Sequence, residues 1–297
     1  MKKTAVIGAS GYIGSHLWKS YRDHFPDCVG TAFSKSSEVL HHFDIRNPDL
    51  KSLRLLETGH ECVIIASAKP SVEYCEQYKN LAYEVNVKGV LDLVKQIDEA
   101  GLPVIFLSTD YVFQGTSAPY RDTDLPQPTT EYGRQKFAVE TNLPSLISNY
   151  LILRLSKIYG TQRGDGTLLN EISHKFLSNS EMRMATDQMF CPTHISDIVE
   201  VIHSLQSLSS KGTFNLCSPQ GTSRYNIAML MANEMNADKN LVHPIFLHDI
   251  PSMHLRPLDT RMHPSDIVTK IKPQFISVEQ SITQIARLFR TSGDKPS

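Results

Sequence analysis

Tyr132 and Lys136 stand four residues apart in Tyr-Gly-Arg-Gln-Lys, a spacing that puts both side chains on one face of a helix. An ammonium close to a phenol favours the phenolate and lowers its pKa from the ordinary value of about 10. Such a tyrosine can pass a proton to a carbonyl as hydride arrives, or take one in the reverse direction. Thr109, in Ser108-Thr109-Asp110-Tyr111, ends an apolar run and can hydrogen-bond the reacting oxygen and orient it. The C-terminal edge of a strand in an open parallel sheet is where ligands bind. A Tyr–Lys pair alone is a surface accident more often than not; the strand end gives this one its setting.

The second constellation is glycine-rich. Gly8, Gly11 and Gly14, with Ser10, Tyr12 and Ile13 between them, follow an expected strand and open an expected helix. The first glycine permits a tight turn, the second lets the backbone approach a pyrophosphate, and the third allows close helix–strand packing. A merely structural turn needs fewer glycines. No Walker-type lysine follows, which excludes a P-loop. At the end of the second strand an acid would hydrogen-bond the adenosine ribose and select NAD. The chain reads Thr31-Ala32-Phe33-Ser34-Lys35 there, with no acid. Ser34 and Lys35 can hold a 2′-phosphate, so NADP(H) is favoured over NAD(H); the other reading makes Lys35 a solvated loop cation. Asp44, after the third short strand, either hydrogen-bonds the adenine amine or is a loop carboxylate.

Other side chains carry less. The histidines have no HExxH or paired-ligand spacing, so no metal is expected. Cys191 is a candidate pocket residue, but no base is placed to make it a nucleophile. Trp18 reads as packing. The five cysteines are scattered without CxxC spacing, which suits a reducing compartment better than a disulfide scaffold. With 30 basic against 31 acidic residues, and no basic stripe, nucleic acid is not an expected partner. No apolar run approaches the roughly 20 residues of a membrane helix. The start, MKKTAVIGASG, has no signal-peptide core. The expected location is cytoplasmic.

The elements that must position these residues alternate. Thr4–Gly8, Cys28–Phe33, Cys62–Ala68, Pro103–Ser108 and Leu151–Leu155 read as buried strands. Ile13–His24, Leu81–Ala100 and Glu131–Leu143 read as helices, the second with Val87, Val90, Leu91, Val94 and Ile97 near helical spacing. Alternation of this kind implies βαβ units and an α/β fold with a parallel sheet covered on both faces. Beyond Tyr159 the rhythm changes to a glycine-bearing loop, Gly160–Gly166, and a helix around Leu168–Leu177. His194–Leu208 reads as a helix and Thr213–Cys217 as a strand that can rejoin the first sheet. Helices are expected at Tyr225–Met235 and Val278–Phe289. The division is a dinucleotide-binding domain over 1–158, to which 194–217 returns, and a second domain over 159–297.

Together these landmarks resemble the extended short-chain dehydrogenases/reductases, and within them the dTDP-4-dehydrorhamnose reductase family of nucleotide-sugar reductases. Leu107-Ser108-Thr109-Asp110-Tyr111-Val112-Phe113, with Gly115 behind it, is the specific match. The resemblance continues through Ala66-Ser67-Ala68-Lys69-Pro70, Asn86-Val87, Tyr132–Lys136, Leu153-Arg154, Asp187-Gln188, Pro192-Thr193 and Arg256-Pro257-Leu258-Asp259. It implies a Rossmann doubly wound parallel sheet with a smaller C-terminal substrate-binding domain, and a sugar nucleotide in the cleft between them. By resemblance Tyr132 is the catalytic acid and Lys136 binds the nicotinamide ribose. Ala66, Ser67, Ala68 and Asn86 fall to the cofactor, while Thr109, Asp110, Tyr111 and Arg256 fall to the sugar nucleotide. Three departures sit near the expected sugar pocket: Lys157 for an aromatic residue, Phe190 for a glycine and Thr130 for an asparagine. Lys157 thereby becomes a candidate substrate contact. Ser15 stands where some members carry an acid linked to a metal-bridged dimer, so that metal is not expected; a homodimer stays open. The resemblance implies reduction of a nucleotide-linked 4-keto sugar. A C4 epimerase and a non-catalytic NAD(P)-binding regulatory subunit are the alternatives.

Overall fold

In a computed structural model the described residues are 1–34, 39–250 and 255–291. The chain forms two compact units: Met1–Phe113, Leu125–Leu155 and Val199–Asn215 make one, and Gln114–Asp124, Ser156–Ile198 and Leu216–Ser297 the other.

The first unit is built on strands β1 (Thr4–Ile7), β2 (Thr31–Ala32), β3 (His41–His42), β4 (Cys62–Ile65), β5 (Val104–Thr109) and β6 (Tyr150–Leu155). β1 pairs with β4, β4 with β5 and β5 with β6, all in parallel, and the Gly212–Leu216 strand extends the sheet beyond β6. On the other side of β1, Gly30 bridges to Val6 and β2 runs parallel to β3. The order therefore reverses at β1/β4, the switch point of a doubly wound sheet. Every residue of β1, β4 and β5 is buried, as continuous apolar strands must be when helices cover both faces. The covering helices include α1 (Tyr12–Arg22), α2 (Val72–Gln77), α3 (Lys79–Tyr83), α4 (Gly89–Glu99) and α5 (Glu131–Leu146). Ile7, Ile65, Phe106, Val94, Leu93 and Leu143 meet in the core.

Two expected elements are redrawn. The strand expected over Cys28–Phe33 contracts to β2 with a single bridge at Gly30, and the Cys28 carbonyl accepts the Trp18 indole N–H at 2.9 Å. The helix expected over Leu81–Ala100 is α3 and α4 joined by a π-helical turn, Glu84–Lys88, that buries Asn86 and Val87. Apolar spacing alone does not register such a wide turn.

In the second unit, parallel pairs join Ile158–Tyr159 to Thr193–His194 and Met182–Ala185 to Val242–Ile245. Met189–Phe190 runs antiparallel to Thr222–Ser223. Helices Leu168–Leu177, Arg224–Met235 and Val278–Thr291 bury Ile172, Phe176, Met231, Ile282 and Ile285 together. Among the described residues no helix is long and apolar enough to cross a membrane.

Candidate active site

At the switch point the glycine turn is a steric requirement. A Cβ on Gly8, whose φ is +94°, would lie 2.6 Å from the Ser67 backbone nitrogen, and one on Gly14 would lie 2.2 Å from the Gly8 carbonyl oxygen. Gly11 caps α1 without a side-chain acceptor, and the first turn, which includes Tyr12 and Ile13, carries no acid. A phosphate can therefore approach the positive end of the helix without competition, and the cradle fits a dinucleotide pyrophosphate. Ser10 belongs to the same turn, while Ala66, Ser67 and Ala68 run out half-buried from β4 against it. The Ala66 N–H donates to the Ile7 carbonyl at 2.9 Å.

At the adenosine side, Ser34 is exposed, and Lys35 lies outside the described residues. The Asp44 carboxylate is held in two-point contact by Arg46, with Nε at 2.9 Å and Nη2 at 2.6 Å, and this keeps the carboxyl below its ordinary range. The Arg46 guanidinium also stacks 5.0 Å from the Phe33 ring. Sequence spacing did not single out Arg46, and the charged stack now stands beside the expected adenosine contacts.

Asn86 is wholly buried, and its amide is committed. It accepts the Lys69 N–H at 2.7 Å and donates to the Lys69 carbonyl at 3.1 Å and to Gln135 Oε1 at 2.8 Å. It thus shapes the Ala66–Pro70 loop from behind.

Tyr132 and Lys136 are positioned by α5. Thr130 caps this helix, its Oγ1 accepting the Gly133 N–H at 3.1 Å, so its replacement of asparagine exchanges one good cap for another. Gly133 lets the first turn press on the Thr109–Val112 segment, where a Cβ would stand 2.2 Å from the Tyr111 carbonyl oxygen. That contact places the Tyr132 hydroxyl beside Thr109 and Asp110. Thr109 Oγ1 donates to Asp110 Oδ1 at 3.1 Å and accepts the Tyr111 N–H at 3.3 Å.

The expected phenolate is not what this arrangement favours. Burial, then the nearby Asp110 charge, hold the Tyr132 phenol above its ordinary range, and the neighbouring Thr109 hydroxyl opposes them only in part. Lys136 Nζ donates instead to the Leu107 carbonyl at 2.8 Å and lies 4.5 Å from the Phe106 ring. Burial pulls its ammonium down to about 8, against the attraction of Glu140. At neutral pH the pair is thus a protonated phenol one turn before a buried cation.

Beneath it lies a cluster that residue spacing left unmarked. Glu140 and Arg154 form a buried ion pair at 2.8 Å, and Ser108 Oγ donates to Glu140 Oε1 at 2.5 Å. The Leu-Arg resemblance was the one sequence signal for Arg154.

In the second unit the Lys157 carbonyl accepts the Thr193 N–H at 2.9 Å, and Ser156 Oγ accepts the Cys191 N–H at 3.1 Å. Lys157 and Arg256 are half-buried. Cys191 is only 1% exposed, with Sγ 3.5 Å from the Met262 carbonyl, and so offers a ligand no surface. Phe190 packs into the core of its unit rather than into a pocket. No group of three or more His, Cys, Asp and Glu among the described residues is arranged to hold a metal.

The chain matches the family described as RmlD substrate binding domain over residues 1–290. It is 28% identical to dTDP-4-dehydrorhamnose reductase of Sinorhizobium fredii over 272 residues, covering 88% of each chain. It is 25% identical to methionine adenosyltransferase 2 subunit beta of Bos taurus over 264 residues, covering 86% of this chain and 75% of the bovine one. In fold it superposes on the NADP complex of dTDP-4-dehydrorhamnose reductase from Bacillus anthracis with a TM-score of 0.78 at 23% identity, over 96% and 98% of the two chains.

Proposed function

The chain belongs to the dTDP-4-dehydrorhamnose reductase family of NAD(P)-dependent oxidoreductases, and on that premise we propose that it reduces a nucleotide-linked 4-keto sugar with Tyr132 as proton donor. The observation that carries the reading is the placement of Tyr132, on the first turn of α5, beside Thr109 and Asp110 at the C-terminal edge of β5, with Lys136 buried one turn further along α5. In this reading Gly8, Ser10, Gly11, Tyr12, Ile13 and Gly14 receive the dinucleotide phosphates and Ser34 and Lys35 the adenosine end, with NADP(H) preferred. When bound, the nicotinamide supplies the hydride that converts the carbonyl carbon to a carbinol carbon. Tyr132 then gives its proton to the carbonyl oxygen, so that C=O, hydride and proton balance as CH–OH. The phenol is protonated at neutral pH and so carries the proton to be given when the carbonyl arrives. Thr109 orients the oxygen, and Lys136 holds the nicotinamide ribose and supplies positive charge. Asp110 and Tyr111 are assigned to the sugar nucleotide.

The test is oxidation of NADPH and NADH against a panel of nucleotide-linked 4-keto sugars, with wild type and Tyr132→Phe in parallel. Turnover should fall by about 10²–10⁴-fold, the range for a lost general acid, while cofactor affinity survives. Full turnover in Tyr132→Phe would refute the assignment. The bovine relative, named as a subunit, favours a second reading as a non-catalytic NAD(P)-binding subunit. A wild type that binds cofactor yet is silent across the panel would select it.

A further inference from the structure

The Glu140–Arg154 pair is costly where it stands. Its side chains are 4% and 6% exposed, and a buried ion pair is often no more stabilising than apolar residues of the same volume. Its contacts point to a different use. Glu140 Oε1 accepts Ser108 Oγ at 2.5 Å, and the Arg154 guanidinium lies 5.1 Å from the Phe113 ring. Ser108 and Phe113 flank Thr109–Val112, the segment that presents Thr109, Asp110 and Tyr111. The pair therefore grips that segment at both ends. Glu140 also stands four residues after Lys136 on α5, so its carboxylate and the Lys136 ammonium share a helix face.

Resting on the Tyr132–Lys136 reading above, we infer that the Glu140–Arg154 pair is a positioning device: it fixes Thr109 beneath the reacting oxygen and keeps Lys136 cationic on the Leu107 carbonyl. Around Lys136, α5 contributes Glu140, α2 contributes Cys75, and β5 contributes the Leu107 carbonyl and the Phe106 ring. Arg154 of β6 is bound to Glu140, and Asp110 stands beside Tyr132. Of these, Glu140 is the larger charged influence opposing the effect of burial on the lysine.

The decisive variant is Glu140→Gln/Arg154→Met, which removes both charges and leaves no buried ion unpaired. Glu140→Gln alone strands Arg154 and is the harsher change. Lys136 is followed directly by NMR titration of its side chain, which needs no substrate. The wild-type midpoint should lie at about 8; in the double variant it should fall by roughly 1, because Glu140, and not Arg154, is the charge of the pair that acts on Lys136. On any sugar the wild type reduces, kcat should fall about 10–100-fold with little change in KM, as expected of displaced catalytic groups. Ser108→Ala keeps the pair whole and should lower kcat while Lys136 titrates as in wild type. A folded double variant with the wild-type Lys136 midpoint and kcat would overturn the inference. If the wild type reduces none of the sugars, the proposed activity fails, whereas the Lys136 titration still decides the role of Glu140.

Discussion

At the scale of single residues, helical spacing sets Tyr132 and Lys136 one turn apart on α5, and the two side chains then meet different neighbours. Spacing specifies a shared face; it does not specify where a long side chain ends. Lys136 ends on the Leu107 carbonyl, and burial governs both groups, raising the phenol and lowering the ammonium. Cofactor choice is likewise a matter of a few side chains. The end of β2 carries no acid to bind a ribose hydroxyl, Ser34 is exposed there, and Arg46 stacks on the adjoining Phe33. We expect NADPH to bind about tenfold or more tightly than NADH, the gain of one charge-assisted phosphate contact. Titration calorimetry with both cofactors measures this, and Lys35→Ala should narrow the gap. Equal affinities would return Lys35 to a solvated loop role.

At the scale of elements, a single tyrosine organises the Gln114–Asp124 segment of the second unit. Buried Tyr120 accepts the N–H groups of Gly115, Thr116 and Ser117 on its hydroxyl oxygen, at 2.9, 3.0 and 3.1 Å. Three consecutive amides aimed at one oxygen form a small nest that a phenol fills. Tyr120→Phe keeps the ring and removes the acceptor, leaving partly buried amides to find water. The expected loss is about 1–3 kcal/mol, read from urea midpoints at constant m-value. A loss under about 0.5 kcal/mol would mean that water replaces the hydroxyl without cost. Nothing in the local sequence marks Tyr120 for this work. It also anchors neighbouring strand-like chain, its N–H donating to the Arg261 carbonyl at 2.8 Å.

At the scale of the molecule, a titratable latch links the late segment of the first unit to its beginning. His203 stacks on Tyr21 with ring centroids 4.6 Å apart, Tyr21 Oη donates to Gln206 Oε1, and Gln206 Nε2 donates to Thr4 Oγ1 at 2.7 Å. Burial depresses the His203 pKa to about 4, assisted by His24 and the N-terminal amine. The unfolded chain, with a histidine near its ordinary value of about 6.5, therefore takes up this proton first as pH falls. Stability should decline between about pH 6.5 and 4, and this group adds no further loss below that window. His203→Gln should flatten the decline in denaturant midpoints measured across the same range. An unchanged slope would assign the acid limb to other groups.

What the amino-acid sequence determined by itself is local in kind. Apolar runs placed β1, β5 and β6, because a strand covered on both faces must be continuously apolar. The glycine trio marked the tight turn into α1, because only a residue without Cβ fits where Gly8 meets Ser67 and Gly14 meets Gly8. Tertiary structure alone decided the rest. It spent the Asn86 amide on a loop, tied Asp44 to Arg46, and buried Phe190 and Cys191. It also set Ser108, Glu140 and Arg154 in one cluster from β5, α5 and β6. The reason is physical: spacing along the chain encodes which face a side chain takes, whereas partners far apart in sequence meet only once the strands are in register.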